Sequence, residues 1–143
     1  CRHAGPAVLE ILRDQKREIQ GVMHCWSEGP DLVGDLLDLG LHFSFAGNLT
    51  YPKADSIRAS SRLIPSSRLL IETDAPFLAP QPVRGQRNEP AHIRHTLETL
   101  ASVREEDPSA LEATTWAAAD ALFLPVPGGD QGSTKKDSTS PVE

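Results

Sequence analysis

The stretch "LLIETDAPFLAPQPVRGQRNEP", Leu69 to Pro90, decides the fold. Three apolar residues, Leu69, Leu70 and Ile71, run straight into Glu72-Thr73-Asp74. So short an apolar run, bounded by turn residues, predicts a buried strand over 68–74. Glu72 and Asp74 are two positions apart, so an extended chain turns both to the same side. A proline-rich loop follows with Arg84, Arg87, Asn88 and Glu89, and Pro90 stands where a helix begins.

Working outward, the chain alternates. "GPAVLEILRDQKREI" (5–19) predicts an amphipathic helix with Val8, Ile11 and Leu12 on one face. "QGVMHC" (20–25) reads as a short buried strand. "GPDLVGDLLDLG" (29–40) reads as a helix stopped by Gly40. "LHFSFAG" (41–47) alternates as a strand does, and "KADSIRASSRLI" (53–64) predicts a helix closed by Pro65. After the third strand come two more helices, "PAHIRHTLETLASVRE" and "EDPSALEATTWAAADALF", the latter with Asp107 as its cap and Pro108 at its first position. Strands alternating with helices at this spacing predict parallel βα units. Three strands make either a small α/β layer or the C-terminal portion of a barrel, since a closed (β/α)₈ barrel takes roughly 200–250 residues. Residues 1–124 form the α/β part. From Pro125, "PVPGGDQGSTKKDSTSPVE" loses apolar content and reads as a disordered polar tail, 125–143.

Composition narrows the class. The chain has 143 residues and a formal charge of −6, so there is no global basic footprint, although a local one at Arg84 and Arg87 is compatible with it. Two cysteines, Cys1 and Cys25, are too few for a disulfide framework; the expectation is a reducing, cytoplasmic setting. No apolar run reaches the roughly 18–20 residues that span a bilayer, so no membrane association is expected. The first residue is Cys1, and the chain reads as a piece of a longer polypeptide or as a processed product.

Each strand ends in polar residues: Met23-His24-Cys25-Trp26-Ser27, then Ser44-Phe45-Ala46-Gly47-Asn48, then Glu72-Thr73-Asp74. In parallel α/β folds the carboxyl ends of the strands form the ligand face, which would bring His24 and Asp74 together. An imidazole and a carboxylate at such a rim suit a divalent metal, with Glu72 orienting a ligand. Taken singly, each residue also has a structural reading. His24 can be a hydrogen-bonded core histidine, Asp74 a turn cap, Arg84 and Arg87 solvated surface charge, Asn88 a helix cap, and Cys25 a small buried thiol. His92 and His95 can be a helical metal pair or plain helix surface.

In combination the motifs resemble the TatD family of metal-dependent deoxyribonucleases. "IETDAPFLAPQPVRGQRNEP" is similar, in order and spacing, to that family's Glu-Thr-Asp, Pro-aromatic-Leu-Ala-Pro and Arg-Gly-x-Arg-Asn-Glu-Pro signature. "GVMHCWS" resembles its Gly-Val-x-His-Cys-Phe-Ser strand end, with Trp26 in the phenylalanine place. "LHFSFAGNLTY" and "LEATTWAAADALF" resemble its next strand and closing helix, the latter with Ala119 or Asp120 where an asparagine is usual. The resemblance runs from Cys1 to about Leu124.

The resemblance implies the C-terminal portion of a TIM-type barrel of the metal-dependent hydrolase kind. It implies two divalent ions (Mg, Mn or Zn) and a DNA substrate cleaved exonucleolytically. Carried over, His24 and Asp74 are metal ligands, Asp74 also steers the attacking water, and Glu72 stands behind the ligands. Arg84, Arg87 and Asn88 contact substrate phosphates. "CRHA" at 1–4 resembles the segment just after another ligand histidine. The implied partner is therefore the N-terminal half of the barrel, and the isolated chain is expected to be inactive.

Overall fold

The computed structural model describes residues 4–15 and 19–124. The predicted tail, and the first residues of "CRHA", lie outside the described residues. Three parallel strands form one sheet in the order β1 (Val22–Met23), β2 (His42–Phe45), β3 (Leu69–Ile71). Helix α1 (Gly5–Arg13) precedes β1, α2 (Val33–Asp38) links β1 to β2, and α3 (Asp55–Leu63) links β2 to β3. Then α4 (Ile93–Arg104) and α5 (Pro108–Phe123) follow the long loop after β3. This is the βα succession the sequence predicts.

The register sorts the strand residues by face. Val22 pairs with His42, Met23 and Leu69 with Phe43, Leu70 with Ser44, and Ile71 with Phe45. Met23, Phe43, Phe45, Leu69 and Ile71 therefore share one face. The four of these that are buried form one cluster with Val33, Leu36, Leu97 and Leu100 of the helices, and Ile71 packs against it. Trp26 meets Phe43 edge to face, with ring centroids 5.1 Å apart. The opposite face carries Val22, His42, Ser44 and Leu70, and its line continues to His24 and Glu72. All four residues of β2 are buried. The alternation seen in "HFSF" is thus one of chemistry and not of exposure, because both faces of the central strand are covered.

Local sequence explains most element ends. The Asp107 carboxylate accepts a hydrogen bond from Ala110 N at 2.9 Å, and Pro108 begins α5. Gly40 ends the α2 segment at φ +87°, the left-handed region glycine favours. Two expectations are corrected. In α1 it is Leu9 that is buried, with Val8 and Leu12 partly so, while Ile11 is exposed. The apolar stripe is rotated by about one position, because residues 8, 9 and 12 also fall on one helical face. The cap before α4 is Glu89, in a reciprocal box with His92, and not Asn88.

Candidate metal centre

Two strand ends deliver the site. His24 lies one residue beyond β1 and Glu72 one beyond β3, both continuing the inward parity of their strands. The ladder extends past the strands: Glu72 N donates to Phe45 O at 2.9 Å and Trp26 N to Ser44 O at 2.8 Å. These bonds keep the rim as ordered as the sheet below it.

Glu72 is the hub. Its Oε2 lies 2.9 Å from His24 Nδ1, accepts from Cys25 N at 3.2 Å, and accepts from the Ser44 hydroxyl. Ser44 Oγ in turn accepts from Cys25 N at 3.1 Å. With Nδ1–H donating to the carboxylate, His24 presents Nε2 outward as a lone-pair donor. Asp74 completes the group: His24, Glu72 and Asp74 each offer an atom, all within 4.8 Å of one another. Cys25 and Asp74 are both in the left-handed region, at φ 49° and 57°. For a cysteine that conformation costs on the order of 1–3 kcal/mol.

The residues present fit a divalent cation. One nitrogen and two carboxylates are a donor set that zinc, magnesium or manganese accept in part. Glu72 Oε1 is buried with no hydrogen-bond partner among the described residues, a costly arrangement that a nearby cation relieves. A groove of about 670 Å³ runs along the inner face, lined by Val22, His24, Ser44, Glu72, Leu122 and Phe123 among others. Also on that face, His42 is buried, and burial followed by the Arg68 charge lowers its pKa, which favours neutral imidazole.

The loop after Asp74 divides the predicted phosphate contacts. Arg84 and Arg87 are exposed. Asn88 is not: it is 2% exposed, and its amide donates to Thr73 O and Phe77 O at 2.6 Å each. Its Oδ1 accepts from Glu89 N at 3.0 Å. Asn88 therefore closes the loop on itself, with both polar atoms of its side chain engaged within the chain. The loop packs close because residue 47 is glycine; a Cβ there would collide with the Leu78 carbonyl and lie 2.9 Å from Pro80 N. His92 is engaged with Glu89 N at 3.3 Å and lies near Asn88, as part of the helix entry.

Sequence reasoning did not single out Ser44 or Tyr51. The signal for Ser44 was present: a serine between two core phenylalanines must turn its hydroxyl to the other face and find a partner there. For Tyr51, whose ring lies under Arg84 with the guanidinium carbon 3.7 Å from its centroid, no local pattern exists.

A parallel α/β sheet carrying a His/Glu/Asp cluster at the carboxyl ends of its strands defines the class: part of a TIM-type barrel of the metal-dependent hydrolases. The chain belongs to the TatD-related DNase family, whose model matches residues 1–124. It is 43% identical over 104 residues to the uncharacterized metal-dependent hydrolase YcfH of Escherichia coli K12, covering 72% of this chain and 39% of that one. It is 37% identical over 129 residues to the 3'-5' ssDNA/RNA exonuclease TatD of Klebsiella pneumoniae, covering 86% and 49%. The crystal structure of YJJV, a TatD homolog from Escherichia coli K12, superposes with a TM-score of 0.79 at 25% identity, over 85% of this chain and 47% of that one. The chain spans half or less of the length of these relatives. No helix among the described residues is long and apolar enough to cross a membrane.

Proposed function

We propose that this chain carries part of a divalent-metal centre that hydrolyses phosphodiester bonds of DNA from a strand end. The observation that supports it most is the convergence of His24, Glu72 and Asp74, with Glu72 Oε1 buried and without a hydrogen-bond partner among the described residues. Bound divalent ions supply a hydroxide near neutral pH and neutralise charge on the phosphoryl oxygens. The side chains of this protein hold and orient the reacting groups. His24 Nε2 and the Asp74 carboxylate would hold an ion. Glu72 fixes the ring of His24 through Nδ1 and is itself held by Ser44 and the Cys25 amide. Asp74, on the loop side, also accepts a hydrogen bond from the attacking water and so sets its direction. Arg84 and Arg87 contact phosphates of the strand. Two ions and a full ligand set require the N-terminal half of the barrel, so residues 1–143 alone are expected to be inactive. With two cysteines and no disulfide framework, we place the protein in the cytoplasm.

The test is hydrolysis of 3′-labelled single-stranded DNA with Mg²⁺ or Mn²⁺. Three proteins are compared: residues 1–143, the product of the complete reading frame, and that product with Asp74→Ala. Cleavage is expected only from the second. Asp74→Ala should lower it by at least about 100-fold, since even residues behind the ligands are worth 10–100-fold. A folded, metal-loaded complete product that leaves DNA intact removes DNA hydrolysis as the function.

A further inference from the structure

Arg13, Arg58 and Arg104 each sit within 2.7 Å of a carboxylate. Arg84 pairs with no carboxylate among the described residues; its guanidinium carbon lies 3.7 Å from the centroid of the Tyr51 ring. A guanidinium over an aromatic face is held by the ring's quadrupole, and the N–H groups along its edge stay available to an anion. The ring is itself fixed. Tyr51 Oη donates to Ala79 O at 3.1 Å, and Tyr51 O accepts from Arg58 Nη1 at 2.8 Å. The loop bearing Arg84 is pinned to the turn bearing Tyr51: Gln81 N donates to Thr50 Oγ1 at 2.7 Å, and Leu78 passes over Gly47. Burial raises the Tyr51 pKa against the opposing effect of Arg84, so the phenol stays neutral at physiological pH. Tyr51 follows the carboxyl end of β2 and Arg84 lies on the loop that follows Asp74, so the stack stands on the strand-end side of the sheet, as the metal cluster does.

We propose that Tyr51 is a positioning residue for phosphate recognition: its ring holds the Arg84 guanidinium at the rim of the His24–Asp74 site, edge toward a phosphate of the nucleic-acid strand. The inference rests on the nuclease reading above. It makes the affinity gained from Arg84 depend on a residue that itself touches no substrate.

The experiment uses the product of the complete reading frame and a fluorescent single-stranded oligonucleotide. Anisotropy gives Kd at several salt concentrations, and hydrolysis gives KM and kcat separately. Removing the ring in Tyr51→Leu should weaken binding by about 3- to 30-fold, the range of a cation–π contact, with the loss in KM and kcat changed less than about twofold. Tyr51→Phe keeps the ring and loses only its bond to Ala79 O, so it should weaken binding less than Tyr51→Leu does. Arg84→Ala should flatten the plot of log K against log salt by about 0.7, one phosphate contact, and Tyr51→Leu should flatten it in the same direction. In an Arg84→Ala background, Tyr51→Leu should cost nothing further. A loss that persists in that background is a structural effect and overturns the proposal. If Tyr51→Leu does not fold, Arg84→Lys decides: it keeps the charge without the planar fork, and parent-like binding by it overturns the proposal. Parent hydrolysis with Tyr51→Leu unchanged overturns this inference alone. An oligonucleotide that the parent neither binds nor cleaves overturns the nuclease reading with it.

Discussion

Glu72→Gln separates an orienting carboxylate from a ligating one. Glu72 Oε2 meets three donors: the Ser44 hydroxyl, Cys25 N at 3.2 Å and His24 Nδ1 at 2.9 Å. A hydrogen bond to a charged acceptor contributes about 1.5–3 kcal/mol against about 0.5–1.5 for a neutral one, so neutralisation costs about 1 kcal/mol per bond. The His24 side chain is 69% exposed, and its share is discounted for solvent. The Ser44 and Cys25 bonds then leave a loss of about 2 kcal/mol, divided between fold and metal site. Loss of a carboxylate behind a metal-binding histidine independently gives 10–100-fold in affinity, or about 1.4–2.7 kcal/mol. The assay is calorimetric titration of the complete reading-frame product with Mn²⁺, comparing parent, Glu72→Gln and Asp74→Asn. We expect Kd to rise about 10–100-fold for Glu72→Gln and further for Asp74→Asn. A Glu72→Gln protein with Mn²⁺ affinity within twofold of the parent refutes the orienting role. A Glu72→Gln loss larger than that of Asp74→Asn refutes it from the other side, by making Glu72 the stronger ligand.

Two more predictions concern groups beside the centre. Burial, then the Arg68 charge, lowers the His42 pKa below the ordinary value of about 6.5. Between the two values the unfolded chain binds more protons, so stability is complete above about pH 6.5 and falls as pH drops toward the folded pKa. Melting temperatures from pH 7.5 to 5 should decline less in His42→Gln than in the parent; parallel curves would count against this assignment. Asn88→Ala removes the donor to Thr73 O and Phe77 O and should cost about 2–4 kcal/mol by urea unfolding. Asn88→Asp, the same size without an N–H donor, should cost a similar amount. Unchanged stability with a raised KM in both would return Asn88 to the phosphate contacts.

The sheet and half of the site were legible because strand parity is local. A residue two beyond a buried one on a strand faces the same way, so "VMH" and "LLIE" place His24 above Val22 and Glu72 above Leu70 without any tertiary knowledge. The caps at Asp107 and Gly40 are equally local. What was not legible depends on the loop after Asp74 folding back. Asn88 sits among exposed arginines in sequence, yet it is buried because Gly47 admits the loop onto the end of β2. The Tyr51–Arg84 stack joins two segments by that same fold, and nothing in either segment specifies it. Leu9 and Ile11 show the smaller limit. With Val8 and Leu12 apolar, a short helix can turn either residue inward, and the packing partner decides.

The strain at the rim has a reason in this arrangement. Parallel strands hydrogen-bond along their length. Here one carboxylate ties three ends: Glu72 beyond β3 is bonded by Ser44 of β2 and by His24 and Cys25 beyond β1. Cys25 is left-handed, which redirects the chain that follows it, and Trp26 N then bonds Ser44 O. The ligand positions on this chain are therefore set by bonds within it.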